Sequence, residues 1–539
     1  MKMASEPLDL LIIGGGINGA GIARDAAMRG LRTGLIEKND FGSGTSGNSS
    51  RLIHGGLRYL ELGDLRLVFE ASRERRTLLK IAPHLVWPRS FLFPVHAGDR
   101  VPKWKLRAGL LLYDILSVFR NVAPHRMLSK EGTIRAEPYL KKTGLKGAGK
   151  YYDCQCDDMR LTLANVRASH RYGALVANYV KADGFEPADG TVHRVKILDR
   201  INEESHTVRA KVIVNATGPW SDRLRKELGE APVLRPTKGV HVAVPRRRIG
   251  NETAITMTSP IDGRVMFIVP WGELAYIGTT DTDDQTDPEM VRAEAEDVIY
   301  LLRSANAMFP DARLKRDDVV STWAGVRPMV SSEGATHPGQ VSREHRILDD
   351  GKGVLSVVGG KLTTYRSVAA ETVDLVGKRL HELDGRSIPA RAKTAKEALP
   401  GGEAQDYEVL VREIARQGVS VETAQHLTRT YGTEAAGVVN LTQGQPELRE
   451  PIAAGHPSIK AEIVHTIRRE MVMTLSDLMI RRIHLYYEVL GHGLPELPDV
   501  ADLAAEELGW DPGRKALEMS QYLKVIHDAM AFRDDIGET

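Results

Sequence analysis

The chain has 539 residues, with 73 Lys and Arg against 71 Asp and Glu, for a formal net charge of +2. At roughly 100–200 residues per domain this length spans about three domains, and 42% apolar with 27% charged residues excludes a disordered or fibrous chain. The near-neutral balance gives no reason to expect a nucleic-acid partner, since phosphate-backbone binding needs a surplus of cations, and the two cysteines, Cys154 and Cys156, can build neither a disulfide framework nor a four-ligand zinc site.

In chain order, the first apolar run is Leu8–Ile13, too short for a secretory signal and suited to a buried parallel strand. An Ala-rich helix is expected over Ile17–Met28, closed by Gly30, with a second strand over Thr33–Ile36. Residues 41–53 are dense in Gly, Ser, Thr and Asn, as in a loop laid over a ligand. Residues 103–120 read as a basic amphipathic helix, with Lys103, Arg107, Asp114 and Ser117 on one stripe and Trp104, Leu111, Leu112, Ile115, Val118 and Phe119 elsewhere. Such a helix suits either a membrane surface or a buried interface between domains.

Cys154 and Cys156 fall in an apparent strand with both side chains on one face, as reduced, unpaired thiols. Further strands are expected at 211–215, 241–245, 265–269 and Val354–Val358. Residues 380–405 contain Gly385, Pro389, Pro400, Gly401 and Gly402 and read as a domain boundary. Beyond it the tail is expected to be helical, with Ile463, Ile467, Met471, Leu475 and Leu478 forming one apolar stripe. No run reaches ~18 apolar residues, so no spanning helix is expected, and the protein is expected in the cytoplasm.

Gly14, Gly16 and Gly19 form a G-x-G-x-x-G turn between a strand and a helix. The first glycine permits the tight turn, the second lets the backbone approach a pyrophosphate, and the third lets helix and strand pack closely. Glu37, 23 residues after Gly14, ends the second strand where a carboxylate accepts from ribose hydroxyls and repels a 2′-phosphate. An ADP-containing cofactor other than NADP is expected. A second strand-end turn, Ala216-Thr217-Gly218, and a third, Gly359-Gly360, which runs through Lys361-Leu362-Thr363-Thr364 into a helix, favour FAD over NAD. A helix N-terminus and Lys361 beside a flavin would stabilise its reduced, anionic form.

These motifs, together with Ser49-Ser50-Arg51-Leu52-Ile53-His54-Gly55-Gly56-Leu57-Arg58-Tyr59-Leu60, Ile277-Gly278-Thr279-Thr280-Asp281 and Gly325-Val326-Arg327-Pro328, occur in a characteristic order. The chain resembles the FAD-dependent glycerol-3-phosphate dehydrogenases of the D-amino-acid-oxidase-like flavoproteins. The resemblance implies an α/β fold: a Rossmann-like FAD-binding domain, an antiparallel-sheet substrate-binding domain and a C-terminal helical domain. Residues 1–390 would form the oxidoreductase region, with FAD-binding segments near 1–80, 150–220 and 330–390 and substrate or cap segments near 81–149 and 221–329; residues 391–539 would form the helical domain.

The same resemblance implies oxidation of sn-glycerol 3-phosphate to dihydroxyacetone phosphate with hydride transfer to FAD. A membrane quinone, the inner face of the cell membrane and a second copy of the chain are the implied partners. For the cofactor it points to Gly14, Gly16, Asn18, Gly19, Glu37, Thr45, Ser46, Ser50, Ala216, Thr217, Gly218, Gly360, Lys361, Leu362 and Thr363. For substrate it points to Arg58, Tyr59, Arg327, Arg343, Lys361 and Thr364, since a phosphate dianion calls for forked cationic donors. Arg327 and Lys361 are also catalytic candidates, beside His241 and His54 as candidate bases. Asp281 reads as a turn cap. Nothing has metal-ligand spacing. An oxygen-reducing oxidase on the same scaffold and a flavin-binding protein without turnover are the alternatives.

Overall fold

A computed structural model describes residues 2–534 other than 62, 119–120, 190–191, 331–343, 352 and 390–391; residues 58, 61 and 187–189 are described by backbone alone. Two sheets organise the chain.

The first sheet runs in the order Arg346–Asp349, Val354–Val358, Glu204–Asn215, Leu8–Ile13, Thr33–Ile36, Leu175–Ala177. Its centre is parallel: Ile13 pairs with Asn215 on one side and Ile36 on the other, and Asn215 pairs with Ser356. Every residue of Leu8–Ile13 is buried, as expected of a strand covered on both faces. The helix Ile17–Met28 packs its small Ala20, Ala23 and Ala26 against Val368, Ala369 and Val373 of the helix Tyr365–Asp384. The carboxyl ends of three parallel strands, each followed by a glycine turn, therefore converge at one edge, where open α/β sheets bind ligands.

The second sheet is mostly antiparallel. Leu234–Pro245 pairs with Ser321–Val330, Leu274–Gly278 and Thr282–Asp283, and the order continues through Val265–Trp271, Ala254–Thr258, Val86–His96 and Leu145–Cys156 to Leu52–Ile53. One face packs on the helix Ala295–Met308. Leu145–Cys156 and Leu52–Ile53 thus belong to this sheet, although sequence segmentation assigns residues 52–53 and 150–156 to the cofactor region. Cys154 and Cys156 are buried and free.

The C-terminal unit is helical, with an isolated bridge between Pro451 and Ile459. The expected stripe 463–478 is not one helix. Ala461–Arg469 ends at Glu470, Met471 takes a left-handed φ of 56°, and a π-helical segment, Asp477–Arg482, begins beyond it. The Asp477 carboxylate accepts from the backbone of Met473 and Thr474 and restarts the chain in a new direction. Buried ion pairs tie this unit to the rest: Arg160 grips Glu470 at 2.6 and 3.0 Å, and Arg482 grips Asp40 at 2.8 and 2.9 Å. His484 Nε2 lies 2.7 Å from Asp157.

The helix Lys103–Leu116 forms, but its faces differ from the helical-wheel reading. Asp114 and Ser117 point inward, where Asp114 accepts from Asn121 and from the His125 backbone, whereas Trp104 (74% exposed), Leu111, Leu112, Ile115 and Val118 face out. Leu65 and Phe69 on the neighbouring helix Leu65–Ile81 are exposed as well. Phe119 lies outside the described residues.

Candidate active site

Two cavities meet where the sheets meet. The first, about 650 Å³, lies along the carboxyl edge of the parallel sheet. Gly14, Gly16, Asn18, Glu37, Thr45, Ser46, Ala216, Thr217, Gly218, Gly360, Lys361 and Leu362 all line it. Gly14 has φ +110°, and a Cβ there would stand 2.6 Å from Ala216 O; a Cβ on Gly19 would stand 1.9 Å from Gly14 O. These two positions demand glycine for the turn and for the strand–helix approach.

The Glu37 carboxylate accepts from Gly15 N–H at 2.7 Å and Asn39 N–H at 2.9 Å. Those bonds aim it along the cavity, while burial raises its pKa and the backbone donors oppose that rise. Asn18 Oδ1 is buried with no hydrogen-bond partner among the described residues. The Ser46 hydroxyl accepts from Ile17 N–H at 2.9 Å, so it caps the glycine-turn helix. The Trp220 ring carries Lys38 Nζ at 4.0 Å, and Arg200 joins the wall. Sequence reasoning passed over Arg200, which no motif marks.

The second cavity, about 390 Å³, is bounded by the antiparallel sheet and the helix Lys103–Leu116. Its walls include Ser50, His54, Tyr59, Thr279, Asp281 and Arg327, with Arg100, Lys105 and Arg264 and an apolar lining of Leu106, Leu112, Phe91 and Phe267. Arg327 Nη1 lies 3.0 Å from Asp281 Oδ1, and its other Nη donates to Thr279 Oγ1 at 2.9 Å. Asp281 thus holds a cation rather than capping a turn. Lys361 Nζ sits 3.3 Å from the centroid of the Tyr59 ring, at the junction of the cavities.

Ser50 faces this second cavity, not the first, and its Oγ lies 2.9 Å from His241 Nε2. His241 itself lines neither cavity. It is 2% exposed and stacks on Trp323 at 5.1 Å. Burial first, then the charges of Arg327 and Arg51, push its pKa well below 6.5, so the ring is neutral. Of the two candidate histidines, it is His54 that lies on the cavity wall. Thr363 Oγ1 accepts from His54 N–H at 3.2 Å and fixes its backbone.

Thr364 is buried and its hydroxyl turns back to Lys361 O at 3.5 Å, so it lines neither cavity. The Arg58 side chain and Arg343 lie outside the described residues. Among those residues no cluster could hold a metal ion.

A glycine cradle at a helix start, an oriented carboxylate at the neighbouring strand end and an orphaned amide oxygen between them fit a flavin dinucleotide, and with the adjoining cationic cavity they define a flavin-dependent oxidoreductase. The family model of the FAD dependent oxidoreductases matches residues 9–366, and that of the C-terminal domain of alpha-glycerophosphate oxidase matches residues 392–515. An aerobic glycerol-3-phosphate dehydrogenase of Staphylococcus haemolyticus is 34% identical, covering 98% of this chain and 95% of that protein; one of Staphylococcus aureus is 35% identical, covering 98% and 96%. The crystal structure of glycerol-3-phosphate dehydrogenase from Bacillus halodurans, complexed with FAD, superposes with a TM-score of 0.82 at 32% identity, covering 100% of this chain and 97% of that one. The L-alpha-glycerophosphate oxidase of Mycoplasma pneumoniae shares the fold, at TM-score 0.58 and 20% identity over 73% of this chain and 99% of that one. The chain belongs to the family of FAD-dependent glycerol-3-phosphate dehydrogenases.

Proposed function

We propose that the protein oxidises sn-glycerol 3-phosphate to dihydroxyacetone phosphate and delivers the electrons to a membrane quinone. The observation that carries the reading is the second cavity, whose walls carry the held Arg327 guanidinium, His54 and Ser50, the last backed by the buried His241, with Lys361 against Tyr59 of the same wall. FAD, when bound in the first cavity, supplies the two-electron acceptor for the hydride leaving C2. Gly14, Gly16, Asn18, Glu37, Thr217, Gly218 and Gly360 would hold it.

Arg327 binds the anionic substrate, since a guanidinium offers several N–H donors in a fixed fork. Asp281 and Thr279 orient that fork before substrate arrives. The substrate C2 hydroxyl proton goes to His54. Ser50 Oγ, backed by a neutral His241, fixes the direction of the hydroxyl. The apolar lining keeps water out and strengthens these charges.

The quinone and the membrane are read from the outer side of the same cavity. Lys105, Leu106 and Leu112 line it, and the helix that carries them exposes Trp104, Leu111 and Ile115 to the outside. An apolar surface with cations at its edge suits the acyl boundary of an anionic bilayer, on the inner face of the cell membrane. No described helix is long and apolar enough to cross a membrane. A homodimer is part of the same proposal, by likeness of family alone.

The test is anaerobic titration of the FAD-loaded protein with sn-glycerol 3-phosphate, watching the flavin absorbance. Bleaching followed by recovery on adding a soluble quinone is expected. No bleaching refutes the substrate. Bleaching reversed by oxygen with stoichiometric peroxide, and not by quinone, assigns an oxidase instead.

A further inference from the structure

Residues 49–51 are held from several directions. Trp323 Nε1 donates to Ser49 O at 3.0 Å, Tyr276 Oη to Ser50 O at 2.8 Å, Ser49 Oγ to Asp158 at 2.7 Å, and Cys156 N–H to Arg51 O at 2.8 Å. Arg51 has a left-handed φ of 53° and is 2% exposed. Its guanidinium carbon lies 4.0 Å from the ring centroid of Trp271, 4.6 Å from Tyr487 and 5.5 Å from Trp323, with an Asp158 oxygen 3.8 Å from Nε. Burying a cation is costly unless it is compensated, and the compensation here comes from aromatic faces and from the carboxylates of Asp158 first, then Asp157 and Glu488.

Two of those rings belong to the antiparallel sheet. The third does not: Tyr487 sits on Leu485–Glu488, in the helical unit. The reaction above uses neither Arg51 nor Tyr487. Yet Arg51 follows Ser50 directly, and Trp323 is shared: His241 stacks on its ring, and the Arg51 guanidinium carbon lies 5.5 Å from the ring centroid.

We propose that Tyr487 and Arg51 are positioning residues of the active site, through which the C-terminal helical unit closes an aromatic cage on Arg51 and thereby holds Ser50 against His241. The inference rests on the reaction above for what the Ser50–His241 pair achieves, but not for the geometry. Among the described residues, the charged and titratable groups around His241 are Arg327 with its partner Asp281, Arg51 with its partner Asp158, and the Tyr276 ring at 6.3 Å. Burial and the Arg327 charge hold the imidazole neutral, and Arg51 clamped in place adds to both; a neutral ring can accept from Ser50, whereas an imidazolium can only donate.

The test compares the FAD-loaded Tyr487→Phe, Tyr487→Leu and Arg51→Gln proteins with the parent. Tyr487→Phe keeps the ring over the guanidinium and should stay within about 2-fold of parent kcat. Tyr487→Leu opens the cage and should lower kcat by about 5- to 30-fold with KM little changed. Nitrogen-15 resonances of the histidines, with His241→Asn providing the assignment, are followed against pH. In Tyr487→Leu, and in Arg51→Gln, which removes the cation, the His241 ring should take up its proton at a higher pH than in the parent. Parent-like kcat and an unmoved His241 titration in Tyr487→Leu overturn the proposal. So does a fall in kcat accompanied only by lost FAD and lower Tm, with the titration unmoved. If the parent flavin is not bleached by glycerol 3-phosphate, the reaction assignment fails, while the titration still decides the positioning claim without substrate.

Discussion

Arg327 and Asp281 meet at 3.0 Å on the wall of the second cavity, 46 residues apart in the chain, with the carboxylate 6% and the guanidinium 21% exposed. The acid is the more buried partner, so it fixes the base rather than the reverse. Arg327→Ala should lower kcat/KM by roughly 10- to 150-fold, the worth of one charge-assisted hydrogen bond, while the purified protein keeps its flavin spectrum. Loss of the flavin together with the activity would make Arg327 structural.

Glu37 lines the first cavity with both oxygens accepting backbone N–H groups. Glu37→Ala removes the acceptor and leaves two amides facing a cavity, so FAD affinity should fall by about 10-fold or more. Titration of apo-protein with FAD, followed by fluorescence quenching, measures it. An unchanged dissociation constant removes Glu37 from the ribose contact.

The helix Lys103–Leu116 exposes Trp104, Leu111 and Ile115, and the helix Leu65–Ile81 exposes Leu65 and Phe69. Replacing Trp104, Leu111 and Ile115 together with Ser should abolish flotation with anionic vesicles and leave turnover with a soluble quinone intact. If the triple variant still floats, the contact with lipid lies elsewhere.

Glu470 is buried against Arg160 and near Arg167 and Arg482. Burial alone would raise its pKa, but the three cations outweigh burial and bring it down to about 2. A carboxylate depressed in the folded state stabilises fully above its unfolded pKa near 4.5 and loses that contribution as pH falls toward the folded value. Thermal midpoints should therefore drop between pH 4.5 and 3. Glu470→Gln should lower the midpoint at pH 7, since breaking a buried pair costs about 3–5 kcal/mol, and should flatten the acid dependence. An equally steep acid limb in the variant would place the acid-sensitive group elsewhere.

The parallel strands and the glycine turns were legible because their signals are local: an apolar run, a glycine spacing and an acid one strand later lie within thirty residues. The partners that decide the second cavity are distant, so the sequence hid them. Ser50 and His241 are 191 residues apart, and Asp281 revealed nothing without Arg327. The helical wheel misjudged Asp114 and Ser117 because a wheel counts polarity and not partners; Asn121 and His125 supply the hydrogen bonds that let Asp114 turn inward. The tail stripe misled for a different reason. A left-handed Met471 breaks a helix that hydrophobic spacing alone would continue.

The grip of Arg482 on Asp40 joins residues 442 positions apart. Asp40 lies three residues beyond Glu37, and the strand that completes the parallel centre, Val354–Val358, also comes late. During synthesis the amino-terminal third therefore leaves the ribosome without its anchors, and nearly the whole chain must emerge before they can form. Capture of the prosthetic group then belongs to the end of biogenesis, so nascent chains arrested before residue 482 should emerge uncoloured.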